Sequence, residues 1–187
     1  MRRTTAWLGA AMVLLSLAGP AAAAAATLEA RVGYFFPASE DFRDIYKGGL
    51  SFGADLTVPV WKSLCAWAGL DYFNKTGELT YTQEPTTLRV LPLFAGLKLQ
   101  PSSGNVRPYA AAAAGYFLFK ESSAIGTASG QELGLLAQAG LLVKIKGRTF
   151  IDFHGRYTSC VHTVTDPEAF SVQLGGFQGG IGLALRF

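Results

Sequence analysis

Apolar residues recur at every second position through most of the chain, which places them on one face of an extended strand. Leu28, Ala30, Val32, Tyr34 and Phe36 alternate with Glu29, Arg31 and Gly33. Leu50, Phe52, Ala54, Leu56 and Val58 alternate with Ser51, Gly53, Asp55 and Thr57, and Leu64, Ala66, Ala68, Leu70 and Tyr72 with Cys65, Trp67, Gly69 and Asp71. Farther on, Leu133, Leu135, Ala137, Ala139, Leu141, Val143 and Ile145 alternate with Gly134, Gln138, Gly140 and Lys144. Ile151, Phe153, Gly155 and Tyr157 alternate with Asp152, His154, Arg156 and Thr158.

Three segments are less regular. Leu88 to Leu99 is apolar on both faces and contains Pro92, which lacks the N–H of a ladder residue and predicts a bulge or irregularity. Pro108 to Lys120 is so rich in alanine and aromatics that its phase is undecided. From Ser171 to Phe187 the alternation is clean only after Phe177, and Val172 and Leu174 have the opposite parity, which predicts a bulge near Gly175 and Gly176.

These segments make eight strands, each long enough to cross a bilayer as a tilted strand, for which about 9 to 11 residues suffice. Long polar connections (Pro37 to Lys47, Asn74 to Thr87, Glu121 to Gly130, His162 to Phe170) alternate with short ones (Pro59 to Ser63, Lys146 to Thr149), with Gln100 to Arg107 intermediate. Long loops at one end and short turns at the other, with an even strand number, predict an all-β, eight-stranded antiparallel transmembrane β-barrel of up-and-down meander topology. Tyr34, Phe36, Tyr72 and Tyr116 fall towards the long loops, and Trp61, Tyr109 and Phe187 towards the short turns, as two interfacial aromatic girdles.

Composition then explains where such a chain is found. Met1-Arg2-Arg3, the apolar run Ala6 to Gly19, and Pro20 with Ala21 to Ala26 read as a secretory signal peptide. The run is too short for a membrane-spanning helix, which needs about 20 residues. Residues 1–26 are therefore expected to be the signal peptide and 27–187 the barrel domain. Without Arg2 and Arg3, fourteen bases face thirteen acids, a net charge of +1 that excludes a nucleic-acid partner. Lys62, Lys98, Arg107, Lys144, Lys146, Arg148 and Arg186 gather at the short-turn end, while the loops carry Glu40, Asp41, Asp44, Glu78, Glu84, Glu121, Asp166 and Glu168.

Leu91-Pro92-Leu93, Gly96-Leu97-Lys98, the run Arg107-Pro108-Tyr109 through five alanines to Gly115-Tyr116, and the alternation closing on Phe187 resemble the small outer-membrane β-barrel proteins of Gram-negative bacteria, the group of the OmpA transmembrane domain, OmpX and OmpW. The resemblance implies outer-membrane location with both termini in the periplasm. It also implies that Ile181, Leu183, Leu185 and Phe187 act as an assembly signal for the barrel-assembly machinery, with outer-membrane lipids as the other partner. OmpW-like relationship further implies, as an alternative, a narrow conduit for small solutes.

The faces opposite the apolar ones fill the lumen, which in an eight-stranded barrel holds little beyond side chains. The inward set of Glu29, Arg31, Asp55, Asp71, Lys144, Asp152, His154, Arg156 and Arg186 is nearly balanced in charge, and unpaired charges there would each cost several kcal/mol. Pairing into a polar plug is expected, with Trp67 and Gln138 adding bulk. Asp152, His154, Ser159 and His162 invite comparison with a serine–histidine hydrolase, but Ser159 has the outward parity, and the His-x-Ser-Asn order associated with lipid A deacylases is missing. No catalytic residue and no cofactor is expected. Cys65 and Cys160 lie at opposite ends of strands, on the order of 20 Å apart, which excludes a disulfide, and the histidines and cysteines show no metal-ligand spacing. A structural or surface-interaction role through the loops follows. A lipid-modifying enzyme and a soluble lipocalin-like binder, whose apolar face would point inward, remain the lesser alternatives.

Overall fold

The computed structural model describes residues 26–78, 84–123, 126–164 and 170–187. The expected signal peptide lies outside them except for Ala26. The strands are β1 (Thr27–Pro37), β2 (Gly49–Trp61), β3 (Leu64–Glu78), β4 (Pro85–Leu99), β5 (Val106–Ser123), β6 (Gly126–Lys146), β7 (Thr149–Val164), β8 (Phe170–Gln173) and β9 (Gly176–Arg186). A short helix, α1 (Glu40–Tyr46), lies between β1 and β2. From β1 to β8 each strand pairs antiparallel with its neighbour in sequence, and β9 pairs with both β7 and β1. The result is a closed eight-stranded meander barrel whose eighth strand is formed by β8 and β9 together.

Alternation dictates the layering. Along β1 every second residue from Thr27 to Gly33 is buried, while Leu28, Val32, Tyr34 and Phe36 are exposed. The same outward exposure continues through Leu50, Phe52, Leu70, Tyr72, Leu93, Leu97, Leu133, Leu135, Phe153 and Tyr157. An apolar belt of this extent is unstable in water and matches hydrocarbon. It also reverses the lipocalin arrangement, because the apolar face points out. No helix among the described residues is long and apolar enough to cross a membrane.

Two expected irregularities take another form. Pro92 causes no register shift: Leu70 pairs with Leu93 and Phe73 with Val90, the ladder being interrupted only opposite Asp71 and Tyr72. The missing N–H falls on the β3 side, while Pro92 keeps its place opposite Phe117 of β5. Nor is there a bulge at Gly175. Val161 pairs with Gln173 and Thr158 with Gly176, one continuous register across the gap between β8 and β9. Leu174, whose N–H donates to Cys160 O, is buried in the lumen, so its parity is that of an inward apolar residue. The register shifts that do occur sit beside the tight turns, at Pro59/Trp61 and Lys144/Lys146. Gly147 at φ 56° makes the second of these turns, a conformation that favours glycine.

The long connections are also more ordered than polarity suggested. Pairing continues to Glu78↔Pro85, Ser123↔Gly126 and Val164↔Phe170, so much of each expected loop extends the hairpin beneath it. The first connection instead folds as α1, whose Phe42 and Tyr46 are buried.

Candidate functional site

The lumen is filled in three layers, and the register determines which residues meet. In the middle, Arg31 of β1 forms salt bridges with Asp55 of β2 and, at 3.1 Å, with Asp71 of β3. Asp71 also pairs with Arg156 of β7, so one carboxylate bridges two guanidinium groups. Gln138 of β6 accepts from Arg156 Nε at 2.8 Å and from Arg31 at 3.4 Å, while its amide donates to Tyr109 OH at 2.7 Å. Tyr109 donates to Asp152 Oδ2 at 3.0 Å, and His154 Nδ1 lies 2.8 Å from the same oxygen. A hydrogen-bonded chain thus crosses from β2 to β7. The guanidinium of Arg156 also lies over Phe94 and Trp67, at 4.8 and 5.6 Å from the ring centroids. These contacts cover its faces while its edges hydrogen-bond.

Towards the short turns, Lys98 and Arg107 turn inward over the rings of Tyr109 and Phe150, at 3.9 and 4.5 Å, and Leu142 and Ala184 complete the layer. Towards the long loops the filling is apolar: Phe42 and Tyr46 of α1 pack with Phe73, Leu88, Val90, Phe117, Cys160 and Leu174. Tyr46 also hydrogen-bonds Glu121 and, at 3.2 Å, Thr86. Burial first, and then the bond to Glu121, push its phenol well above the usual tyrosine range. Between the apolar cap and the charged layer remains a cavity of about 40 Å³, bordered by Ser51, Asp71 and Gln178. It admits water but no larger solute.

Of the residues expected in the polar network, Arg31, Asp55, Asp71, Asp152, His154 and Arg156 are brought together by hydrogen bonds, and Glu29 is buried beside Asp152 and His154 without a hydrogen-bond partner. Lys144 and Arg186 are not part of it. Lys144 shares the inward parity but lies exposed at the mouth, and Arg186 donates to Ser102 O of the β4–β5 connection at 3.1 Å. At a barrel rim, water solvates a long cationic side chain better than the crowded interior does. Tyr109 is likewise corrected: it lies 5% exposed inside the lumen and belongs to no girdle. The other girdle positions, Tyr34, Phe36, Tyr72, Tyr116, Trp61 and Phe187, face outward and are exposed.

Ile181, Leu183, Leu185 and Phe187 are all exposed on the outer face of β9, and Phe187 N donates to Ala26 O at 2.9 Å. Ser159 lies on the face opposite His154, where it accepts from Gln173 at 3.4 Å, so no serine–histidine pair forms between them. The side chain of His162 lies outside the described residues. Cys65 is buried opposite Lys98 near the short turns, and Cys160 opposite Gly134 nearer the long loops, both as free thiols.

Sequence reasoning missed the apolar cap. Phe42, Ile45 and Tyr46 have the i, i+3, i+4 spacing of one helix face, a signal readable inside an otherwise polar connection. It also missed Lys98 as an inward cation and Tyr109 as the link between Gln138 and Asp152. The undecided phase of β4 and β5 concealed both.

This closed meander with an apolar exterior and a filled lumen is the fold of the small outer-membrane β-barrels. Neisserial surface protein A shares it at a TM-score of 0.60 and 15% identity over 87% of this chain and 97% of that one. Ail, the attachment invasion locus protein of Yersinia pestis, solved in complex with the heparin analogue sucrose octasulfate, superposes at 0.54 with 17% identity over 86% and 99%. The N-terminal β-barrel domain of Pseudomonas aeruginosa OprF matches at 0.52 with 10% identity over 87% and 97%. No protein-family model matches the chain, and no curated protein does.

Proposed function

We propose that the protein is a non-enzymatic outer-membrane barrel, exported by a cleaved signal peptide, that works through its outer surface and not through its lumen. The carrying observation is that salt-bridged charges and an apolar cap fill the interior, with a cavity of about 40 Å³ between them. Reconstituted into planar bilayers, the protein should give no steady single-channel current. Steady conductance would overturn this reading in favour of the narrow conduit.

The outer surface offers a specific place for contact. Arg89 of β4 and Lys120 of β5 are cross-strand partners on the outward face, and with Thr87 and Ser122 they line an open groove. Lys120 stands four residues beyond Tyr116, past the aromatic level, where anionic surface groups are found. The sulfated ligand in the Ail complex is an anion of the kind such a groove would suit. Binding to an immobilised sulfated glycan should weaken with rising salt and fall about tenfold in an Arg89→Ala, Lys120→Ala double variant. Unchanged binding in that variant would exclude the groove. Outer-membrane lipids and, during biogenesis, the barrel-assembly machinery are the remaining partners. The machinery would read the outward row Ile181, Leu183, Leu185 and Phe187.

A further inference from the structure

The two arginines pair with Asp55 and Asp71, but a second acidic group lower in the lumen has no arginine partner. Glu29 of β1 and Asp152 and His154 of β7 reach towards one another from the strands on either side of β9. Gly182 and Gly180 of β9 lie between them. A Cβ at Gly182 would come within 2.6 Å of Glu29 Oε1, and one at Gly180 within 2.9 Å of His154 Nε2. The glycine track therefore makes room for side chains that the sequence places more than a hundred residues apart. One potential ligand atom from each of the three lies within 4.8 Å of those from the other two.

The chemistry of this group is one-sided. Glu29 is 1% exposed, Asp152 0% and His154 6%. Yet Glu29 Oε1, Glu29 Oε2, Asp152 Oδ1 and His154 Nε2 have no hydrogen-bond partner among the described residues. His154 Nδ1 is the atom facing the Asp152 carboxylate, 2.8 Å away, and in the tautomer whose Nδ1 carries the proton Nε2 presents a lone pair. With both carboxylates ionised and Nε2 unprotonated, all four unmatched atoms are acceptors. One water supplies only two protons, and the nearby Lys98 ammonium is held over the Tyr109 ring at 3.9 Å. A buried acceptor without a donor costs about 1–3 kcal/mol, and more when charged.

We propose that Glu29, Asp152 and His154 form a binding site for one divalent transition-metal cation of the zinc class. Two carboxylates and an imidazole are a ligand set such cations accept, whereas calcium and magnesium prefer more numerous, all-oxygen ligands. Ligand atoms around a tetrahedral zinc lie about 3.4 Å apart, so side-chain movements must draw the three groups together to close the set. The Asp152–His154 hydrogen bond orients the ring as carboxylate partners of metal-bound histidines do. Because β1 and β7 are bridged across the closing strand, the cation is trapped as the barrel closes.

The test is to refold the full chain in detergent with and without Zn²⁺, remove loosely held metal by dialysis, and measure bound metal by mass spectrometry. Co²⁺ serves as the absorbing probe. The expected result is one equivalent of Zn²⁺ per folded barrel, a higher unfolding temperature with metal, and a Co²⁺ spectrum of low coordination number. Glu29→Gln and His154→Gln should each lower affinity at least about tenfold, in protein whose heat-modifiable gel mobility shows that it folds. Wild-type barrel that folds yet retains neither metal would overturn the proposal whatever the variants do, leaving protons or water at the site. Stoichiometric binding unaltered in both variants would overturn it too, by placing the metal elsewhere.

Discussion

Gln138 shows how much one buried residue can connect. Its carbonyl oxygen accepts from both arginines and its amide donates to Tyr109, so the Arg31–Asp71–Arg156 group and the Asp152–His154 pair share one side chain. Removing one member leaves charges stranded. Arg156→Ala should cost about 3–5 kcal/mol, read as a lower midpoint in urea unfolding from lipid vesicles, whereas Lys144→Ala at the exposed mouth should change stability by less than about 0.5 kcal/mol. Tyr46 carries a pH dependence of known sign. An unfolded tyrosine ionises near pH 10, while the docked phenol holds its proton to higher pH. Docking of α1 is therefore fully stabilised below about pH 10 and weakens above it. Protection factors across residues 40–46, taken relative to the base-catalysed intrinsic exchange rate, should fall above about pH 10 in the wild type and stay level in Tyr46→Phe. At this scale the sequence was legible wherever alternation was strict, as for Arg31, Asp55, Asp71 and Arg156. It was not legible for Tyr109, because an aromatic beside Pro108 fits an interfacial girdle as well as an inward polar contact, and only the phase of β5 distinguishes them.

Among the elements, the hairpin of β5 and β6 is the most extended. Its strands of 18 and 21 residues exceed the roughly 10 needed to cross hydrocarbon. The pairing of β6 with β7 stops at Gly134↔Cys160, so the strand ladder of Gly126 to Leu133 runs along β5. Replacing residues 122–127 with a two-residue turn should therefore leave folding yield and gel mobility shift unchanged. Polarity alone made these segments read as loops, since a strand that has left the membrane no longer needs an apolar face and its period fades. Helix α1 was hidden for a related reason: seven residues are too few for an isolated helix to persist, and packing of Phe42 and Tyr46 against the lumen supplies what propensity does not.

For the whole molecule, the plug is redundant. Deleting α1 removes Phe42 and Tyr46 from the apolar cap but leaves the charged layer spanning β1, β2, β3 and β7. Residue 40–46 deletion alone should remain non-conducting in planar bilayers, and conductance should appear only when Arg31→Ala and Arg156→Ala are added. Strand number, orientation of faces and closure of the last strand on the first were all readable, because each follows from period two and an even count. Which charges pair was not, since pairing across the lumen depends on strand register around the whole circumference.

The seam between β1 and β9 gives this architecture a timetable. Thr27 meets Arg186 and Glu29 meets Ala184, so nearly the entire chain must be synthesised and threaded before these ladders exist. Hairpins can form early and bring Arg31 beside Asp55 and Asp71, but Arg156 of β7 reaches the shared carboxylate only when the ends join, and until then its charge faces an unfinished interior. Long-range pairing of this kind is slow. Within residues 27–187 the tryptophans are Trp61, exposed, and Trp67, stacked beneath Arg156. In a Trp61→Phe protein refolding into vesicles, the final fluorescence change of Trp67 should thus lag behind the rise in strand content, marking the moment of closure.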